Sequence, residues 1–523
     1  MSGSGVHRVL LGCVLSGLLA CRVPSVAPPE EDGGAQDAGQ TVDAGERADA
    51  GALPDGGVPS DGGEPRDGGE PRDGGELPDG GAPHDAGPLS SDWAQYRGGP
   101  EGTWSTEGRF SAGQAGGTGL LWAADAGPQG YTQPLVVGDT VYVTTAPVGR
   151  VLAFDAWSGA RRWERVLDGQ LTDPCRPTPS RPGFWSAPAV ADGVLWAAAP
   201  DGTVYALSPA TGEVLRSTAV ATTSGPPELV QSSPAVSSAL GQLYVGVAAV
   251  FQCRHIPGRV ISVDTRTGAS RSVTLTSGGR EGAAVWSSVA VDAAARRIYV
   301  TTGDPAGTPL AEMPLAQAVV ALDADTLEVL SHWQNVGPGP TDNSDFGASP
   351  TLFTAPDGTP LVGAANKDGW LYVLRRDALA EGPLWKVQLA VGGPDPLAGQ
   401  GSLVAPTFAR GRLYAAGGRT PDGEPGAVVA LDPGTGEVRW RRVTPGFVFA
   451  GMPVVGEVLV VVSNALDGSR SWLQLLHADS GAVLRTFETP GPTYAAPSVG
   501  RGLVLWHPFS GRLQAFALPL DEG

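Results

Sequence analysis

The stretch Ser186-Ala187-Pro188-Ala189-Val190-Ala191-Asp192-Gly193-Val194-Leu195-Trp196-Ala197-Ala198-Ala199-Pro200-Asp201-Gly202-Thr203-Val204-Tyr205-Ala206-Leu207-Ser208-Pro209-Ala210-Thr211-Gly212 carries short apolar runs separated by turn residues. Runs such as Val194-Leu195-Trp196 and Val204-Tyr205-Ala206-Leu207 are too short for helices, and are bounded by Gly, Pro and Asp as strands are. The unit opens on a small residue before proline, passes through a strand with an aromatic residue and a Gly turn, and closes on Thr-Gly. Comparable openings recur at Gln133-Pro134, Ser233-Pro234, Ser288-Val289, Ser349-Pro350, Ala405-Pro406, Met452-Pro453 and Ala496-Pro497, 44–61 residues apart. That period suits a four-stranded propeller blade.

Eight openings predict an all-β protein: an eight-bladed β-propeller of four-stranded antiparallel blades. The last copy runs out at Leu518-Pro519, after its third strand. The missing strand is expected from Gly119-Leu120-Leu121-Trp122, just before the first opening, because closure by an N-terminal strand removes two open sheet edges.

Composition agrees. The chain of 523 residues holds 76 Gly and 47 Pro, too many for a helical protein. Its formal charge of −19 argues against nucleic acid as a partner. The acidity is uneven: residues 22–92 hold 17 Asp and Glu against four Arg. That stretch repeats units such as Asp61-Gly62-Gly63-Glu64-Pro65-Arg66, has no aromatic residue, and cannot bury enough surface to offset its ordering entropy. Residues 21–92 are therefore expected to be a disordered tether and 93–523 the propeller.

Residues 1–20 have the form of an export signal: His7 and Arg8, then an apolar run from Val9 to Ala20 that is too short to span a membrane. Leu18-Leu19-Ala20-Cys21 resembles the lipobox of bacterial lipoproteins, which implies lipidation of Cys21 and a place in the cell envelope, at the outer membrane or cell surface. An ordinary signal peptide with a coincidental cysteine is the alternative. Among the other cysteines Cys13 leaves with the signal. Cys175 and Cys253, expected in loops of one propeller face on adjacent blades, are a candidate disulfide in an oxidising compartment; two isolated cysteines are the alternative.

Repeats such as Ala153-Phe154-Asp155-Ala156-Trp157-Ser158-Gly159-Ala160-Arg161-Arg162-Trp163 and Ala430-Leu431-Asp432-Pro433-Gly434-Thr435-Gly436-Glu437-Val438-Arg439-Trp440 resemble the blades of pyrroloquinoline-quinone (PQQ) propellers. A narrower likeness runs from Gly282 to Leu374. It includes Ala283-Ala284-Val285-Trp286-Ser287-Ser288, Thr302-Gly303-Asp304, Asp342-Asn343-Ser344-Asp345-Phe346-Gly347-Ala348-Ser349-Pro350 and Asn366-Lys367-Asp368-Gly369. This part is similar to quinoprotein alcohol dehydrogenases, especially the polyvinyl-alcohol dehydrogenase branch. The resemblance implies that Asp304 is a calcium ligand, Glu312 the base that takes the alcohol proton, and Lys367 the cation beside the quinone carbonyls. Other uses stay open: a turn cap for Asp304, a solvated surface acid for Glu312, a β-turn lysine for Lys367.

The chain departs from that family where its glutamate ligand would fall, since 246–252 contains no carboxylate. It also has no adjacent cysteine pair and no Cys-x-x-Cys-His for a c-type haem. Two readings follow. The first is a lipid-anchored, monomeric, non-catalytic propeller that binds an envelope protein or glycan through loops on one face. The second is an alcohol dehydrogenase that uses PQQ and calcium.

Overall fold

The computed structural model describes residues 91–519, apart from 107, 129, 147, 168–182, 223–227, 250–254 and 337–344. The repeated units fold into eight sheets, each with four principal antiparallel strands, so the expected eight-bladed propeller is the observed architecture. Blade 1 comprises Leu135–Val137, Thr140–Thr145, Arg150–Asp155 and Arg161–Val166. Blades 2 to 7 begin with Ala189–Ala191, Ala235–Ser237, Ala290–Asp292, Thr351–Thr354, Thr407–Ala409 and Val454–Val455, and blade 8 with Ser498–Gly500. In blade 1 Thr140–Thr145 is buried on both faces, whereas the last strand, Arg161–Val166, alternates between exposed and half-buried residues. That is the pattern of an outer strand with one wet face.

The expected closure is also observed. Gly119–Asp125 pairs antiparallel with Arg512–Ala517 as the outer strand of blade 8, Leu120 opposite Phe516 and Trp122 opposite Ala515.

The recurring Asp-x-x-Thr-Gly segment has a local cause and a longer-range one. Locally, the Asp432 carboxylate accepts the backbone N–H groups of Gly434 and Thr435, fixing the turn into the outer strand. At longer range, an outer-strand tryptophan of one blade donates its indole N–H to a turn carbonyl of the next: Trp122 to Ala156, Trp163 to Pro209, Trp385 to Pro433 and Trp440 to Ala478. The turn glycine lies flat on that ring. At Gly436 φ is +75°, and a Cβ would stand 2.6 Å from Trp385 Cε3. Gly436→Ala is therefore expected to lower stability by at least about 2 kcal/mol, strain and overlap combined. Gly411 shares the left-handed backbone at φ +67° but has open space around it. Gly411→Ala should lose only the conformational part, about 1 kcal/mol. Equal denaturation midpoints for the two variants would show that the tryptophan contact contributes nothing.

The serines of the blade openings bond one blade to the next near the axis. Ser233 Oγ accepts from Ala187 N, Ser288 Oγ from Ser233 N, and Ser349 Oγ from Ser288 N.

One feature has no signature in the repeats. Residues 91–106 run beneath the ring and bond in turn to the innermost part of each blade. Ser91 O accepts from Arg501 N in blade 8, Trp93 exchanges bonds with Val136 in blade 1, and Ala94 O accepts from Val190 N in blade 2. The Gln95 amide pairs with the Val236 backbone of blade 3, and Pro100 O accepts from Val291 N of blade 4. Glu101, Thr103 and Trp104 carbonyls accept from Leu352, Phe408 and Val454 in blades 5, 6 and 7. The segment satisfies backbone groups that eight sheet edges would otherwise leave open toward the axis. Arg97 crosses the axis itself. Its backbone N–H is held by Gln133 of blade 1, while its guanidinium reaches the carbonyls of Val289 and Pro350 on blades 4 and 5.

His507 of blade 8 is fully buried beside Thr132 O at 3.4 Å, and burial pushes its imidazole down to about 4. The unfolded chain takes up that proton near its ordinary value, about 6.5. Stability is therefore complete above about 6.5 and falls as pH drops toward 4, by about 3 kcal/mol in all. Asp304, whose carboxyl is raised, works in the opposite direction, so the effect is read as a difference. Denaturation midpoints at pH 7 and pH 4.5 should converge in His507→Leu relative to the parent; an unchanged gap counts against the assignment.

Candidate functional site

A cavity of about 230 Å³ lies on the propeller axis, with wall residues from all eight blades and Tyr96 from the segment below. Its wall follows the repeat. The residue three places before the second residue of each opening (a proline in every blade but the fourth) faces the cavity: Tyr131, Trp185, Gln231, Trp286, Gly347, Leu403, Ala450 and Tyr494 in blade order. The small residues of the openings, among them Ala187, Ser233, Ser288, Ser349, Ala405 and Ala496, also face it. Larger side chains there would fill the axis.

The wall has an ionic side. Lys367, 1% exposed, places Nζ 2.5 Å from Oδ1 of Asp345, itself 8% exposed. Asp345 Oδ2 accepts the indole N–H of Trp286 at 3.1 Å, and the Lys367 ammonium lies 5.4 Å from the centre of the Trp286 ring. Lys367 belongs to a tight turn in which Asp368 N and Gly369 N donate to Asn366, between Pro360–Ala365 and Trp370–Arg375. It is a β-turn lysine whose side chain is turned inward. Asp304 faces the same cavity and is half-buried. Its Oδ1 accepts from Ala306 N at 2.9 Å, so it caps a turn as well. Burial, then the neighbouring Asp345 charge, raises its carboxyl above the usual range, against the Ala306 hydrogen bond, His255 and Lys367.

The opposite wall is aromatic. Tyr131 lies parallel to Trp185 at 5.4 Å between centres and to Tyr494 at 6.3 Å, and Phe509 meets both tyrosines edge-on. Phe449 adds an edge-on contact to Tyr494. Burial raises both tyrosine hydroxyls, with the Tyr494 charge adding to the effect at Tyr131.

The structure thus brings Asp304 and Lys367 together and separates Glu312 from them. Glu312 ends the turn Leu310–Glu312, is 52% exposed, pairs with Arg280 at 2.7 Å and does not line the cavity. Cys21, Cys175, Cys253 and Asp342 lie outside the described residues. Asp345, Trp286 and the aromatic arc take their places at the site only from the tertiary structure. The place three residues before each opening's second residue is the signal that finds the arc and Trp286.

A family profile described as "Outer membrane protein assembly factor BamB" matches residues 106–305 and 367–516, well over half of the chain. The chain belongs to the PQQ-like propeller family. A second profile, "Glucose/ethanol/alcohol dehydrogenase, beta-propeller domain", matches residues 262–399. Among curated proteins the chain is 27% identical over 378 residues to "Polyvinylalcohol dehydrogenase" of Sphingopyxis sp. (strain 113P3), covering 62% of this chain and 54% of that protein. The match therefore spans about half the length of that relative. Among solved structures the fold is similar to a europium-containing methanol dehydrogenase, with TM-score 0.66, 17% identity, and 82% and 98% of the two chains covered. It is also similar to the quinohemoprotein alcohol dehydrogenase of Comamonas testosteroni, with TM-score 0.62, 18% identity and coverage of 82% and 80%. BamB of Moraxella catarrhalis follows at TM-score 0.51 and 16% identity, covering 78% and 98%. At these identities the structural likeness speaks for the fold.

The family's calcium and quinone can be tested against this wall. Calcium takes about six to eight oxygen ligands. Among the described residues no three His, Cys, Asp or Glu side chains stand close enough to hold a metal. Asp345 is already committed to Lys367, and Ala248 and Ala249 face the cavity in the stretch where the family's glutamate would fall. PQQ is a tricarboxylate, whereas Lys367 is the one Lys or Arg among the described wall residues. The described wall does not fit the calcium–PQQ pair.

Proposed function

We propose that this chain is a small-molecule-binding propeller of the cell envelope whose working site is the axial cavity, not an alcohol-oxidising enzyme. The observation that carries this reading is the charge arrangement of the wall. Its one described Lys or Arg is held by Asp345, and no described oxygen shell awaits a divalent ion. The fold supplies a ligand-sized chamber closed from below by residues 91–106, and chambers of this kind bind small molecules. A lipid on Cys21 would hold the chain at a membrane through the acidic stretch 22–92. Replacement by Cys21→Ser should move the chain from the detergent phase to the aqueous phase in a partition assay, and unchanged partition would count against the anchor.

One observation favours the dehydrogenase reading. Asp304, a carboxyl with raised proton affinity, shares the cavity with the Lys367 cation, as a base and an electrophile would. The named activity of the Sphingopyxis relative points the same way. The two readings part on one experiment. The full chain is loaded with PQQ and calcium and assayed for dye-linked oxidation of primary alcohols and polyvinyl alcohol. The binding reading expects no dye reduction above the rate of the free cofactor. Turnover that disappears in Asp304→Asn would overturn it and establish the enzyme.

A further inference from the structure

The cavity is electrically lopsided, and this suggests what it holds. On the ionic side the Lys367 charge and the Asp345 charge lie 2.5 Å apart and are almost wholly buried, so they neutralise each other. Asp304 is the other carboxylate of the described wall, half-buried, with cavity space in front of it and the His255 imidazole lining the same cavity. Across the cavity stand the rings of Trp185, Tyr131 and Tyr494, each partly exposed. A carboxylate on one wall and aromatic rings on the other is a setting that suits a positive ligand with an apolar body. Like charge repels an anion from Asp304, and the aromatic wall offers an apolar surface to the body of an organic cation. A hard inorganic cation finds too few oxygens here, whereas an organic ammonium ion needs one carboxylate and an apolar surface for its body.

We propose that the axial cavity binds an organic ammonium ion, with the charged nitrogen toward Asp304 and the apolar body against the arc of Trp185, Tyr131 and Tyr494. The proposal rests on the small-molecule-binding reading above and names the ligand class for that site. It is the opposite in charge to the tricarboxylate quinone of the family.

The test is calorimetric titration of the full chain at neutral pH with phenethylammonium. Its uncharged counterpart phenethyl alcohol and PQQ with calcium serve as comparisons. Phenethylammonium should bind at least about tenfold more tightly than phenethyl alcohol, the effect of one favourable charge contact. Asp304→Asn, which keeps the shape and the Ala306 hydrogen bond, should remove that preference. Tyr494→Leu should weaken the ammonium and the alcohol to a similar extent, because both lay the same apolar body on the ring while Asp304 alone meets the charge; a loss confined to the ammonium would overturn this orientation. Equal binding of amine and alcohol, an Asp304→Asn variant that retains the preference, or saturable PQQ binding without turnover overturns the ammonium assignment and leaves a small-molecule site standing. PQQ-dependent alcohol oxidation, or no binding by any of the three probes, overturns both readings.

Discussion

Lys367→Met is expected to lower stability by about 3–5 kcal/mol, because it leaves the buried Asp345 carboxylate without its cation. The Trp286 N–H still reaches Asp345 Oδ2, but a neutral donor does not replace an ammonium at 2.5 Å. The sharper expectation concerns the double variant. Lys367→Met with Asp345→Asn removes both charges, keeps an acceptor for Trp286 and fills the lysine's volume with an apolar chain. It should recover most of the loss, since a buried ion pair roughly breaks even against a neutral replacement. Chemical denaturation of the parent, the two single variants and the double variant checks this. A double variant as unstable as Lys367→Met would mean that Lys367 acts through packing and not through its charge.

The second large effect is expected at Arg97. Its side chain is 1% exposed, and it ties the segment below the ring to the Val289 and Pro350 carbonyls of blades 4 and 5. Burial pulls its guanidinium down to about 10, partly countered by Tyr96 and Glu101, so it stays charged at neutral pH. Arg97→Leu would strand buried carbonyls and is expected to cost at least about 3 kcal/mol. Arg97→Lys keeps the charge but loses the planar fork, and one ammonium is poorly shaped to serve both blades. It should recover less than half. Because Tyr96 forms part of the cavity floor, the Arg97 variants should also weaken any cavity ligand, although Arg97 is not among the cavity-lining residues. Stability within about 1 kcal/mol of the parent in Arg97→Leu would show that the other bonds of residues 91–106 suffice alone.

The fold was legible because each blade must solve the same local problem. The Asp432 carboxylate has to cap its turn, Gly436 has to lie on Trp385, and the small residues before proline have to leave the axis open. The carboxylate cap recurs at Asp155, Asp264 and Asp323 and the glycine on an indole at Gly159, Gly212 and Gly481, and repetition turns a weak local signal into a strong one. Even closure could be read, since a blade with three strands in sequence must borrow a fourth. Residues 91–106 leave no such signal, for the opposite reason. Their bonds to the blades are mostly made by the backbone, which any residue type can supply.

The site was only partly legible. Asp304 and Lys367 sit in motifs, and the motifs brought them to one cavity. Glu312 lies in a loop, and a loop can carry a residue of the right type to the outside, where Arg280 holds it. Asp345 was visible in the sequence, yet its meaning depends on the Lys367 side chain, which belongs to the next strand pair.

By itself the sequence determined the blade, the number of blades and the strand that closes them, because those depend on contacts between residues at fixed spacing. Only the tertiary structure decided which charges pair, which acid is left facing the cavity and what seals the axis from below. Those outcomes depend on the conformation of loops and on backbone contacts made across the axis, where no spacing rule applies.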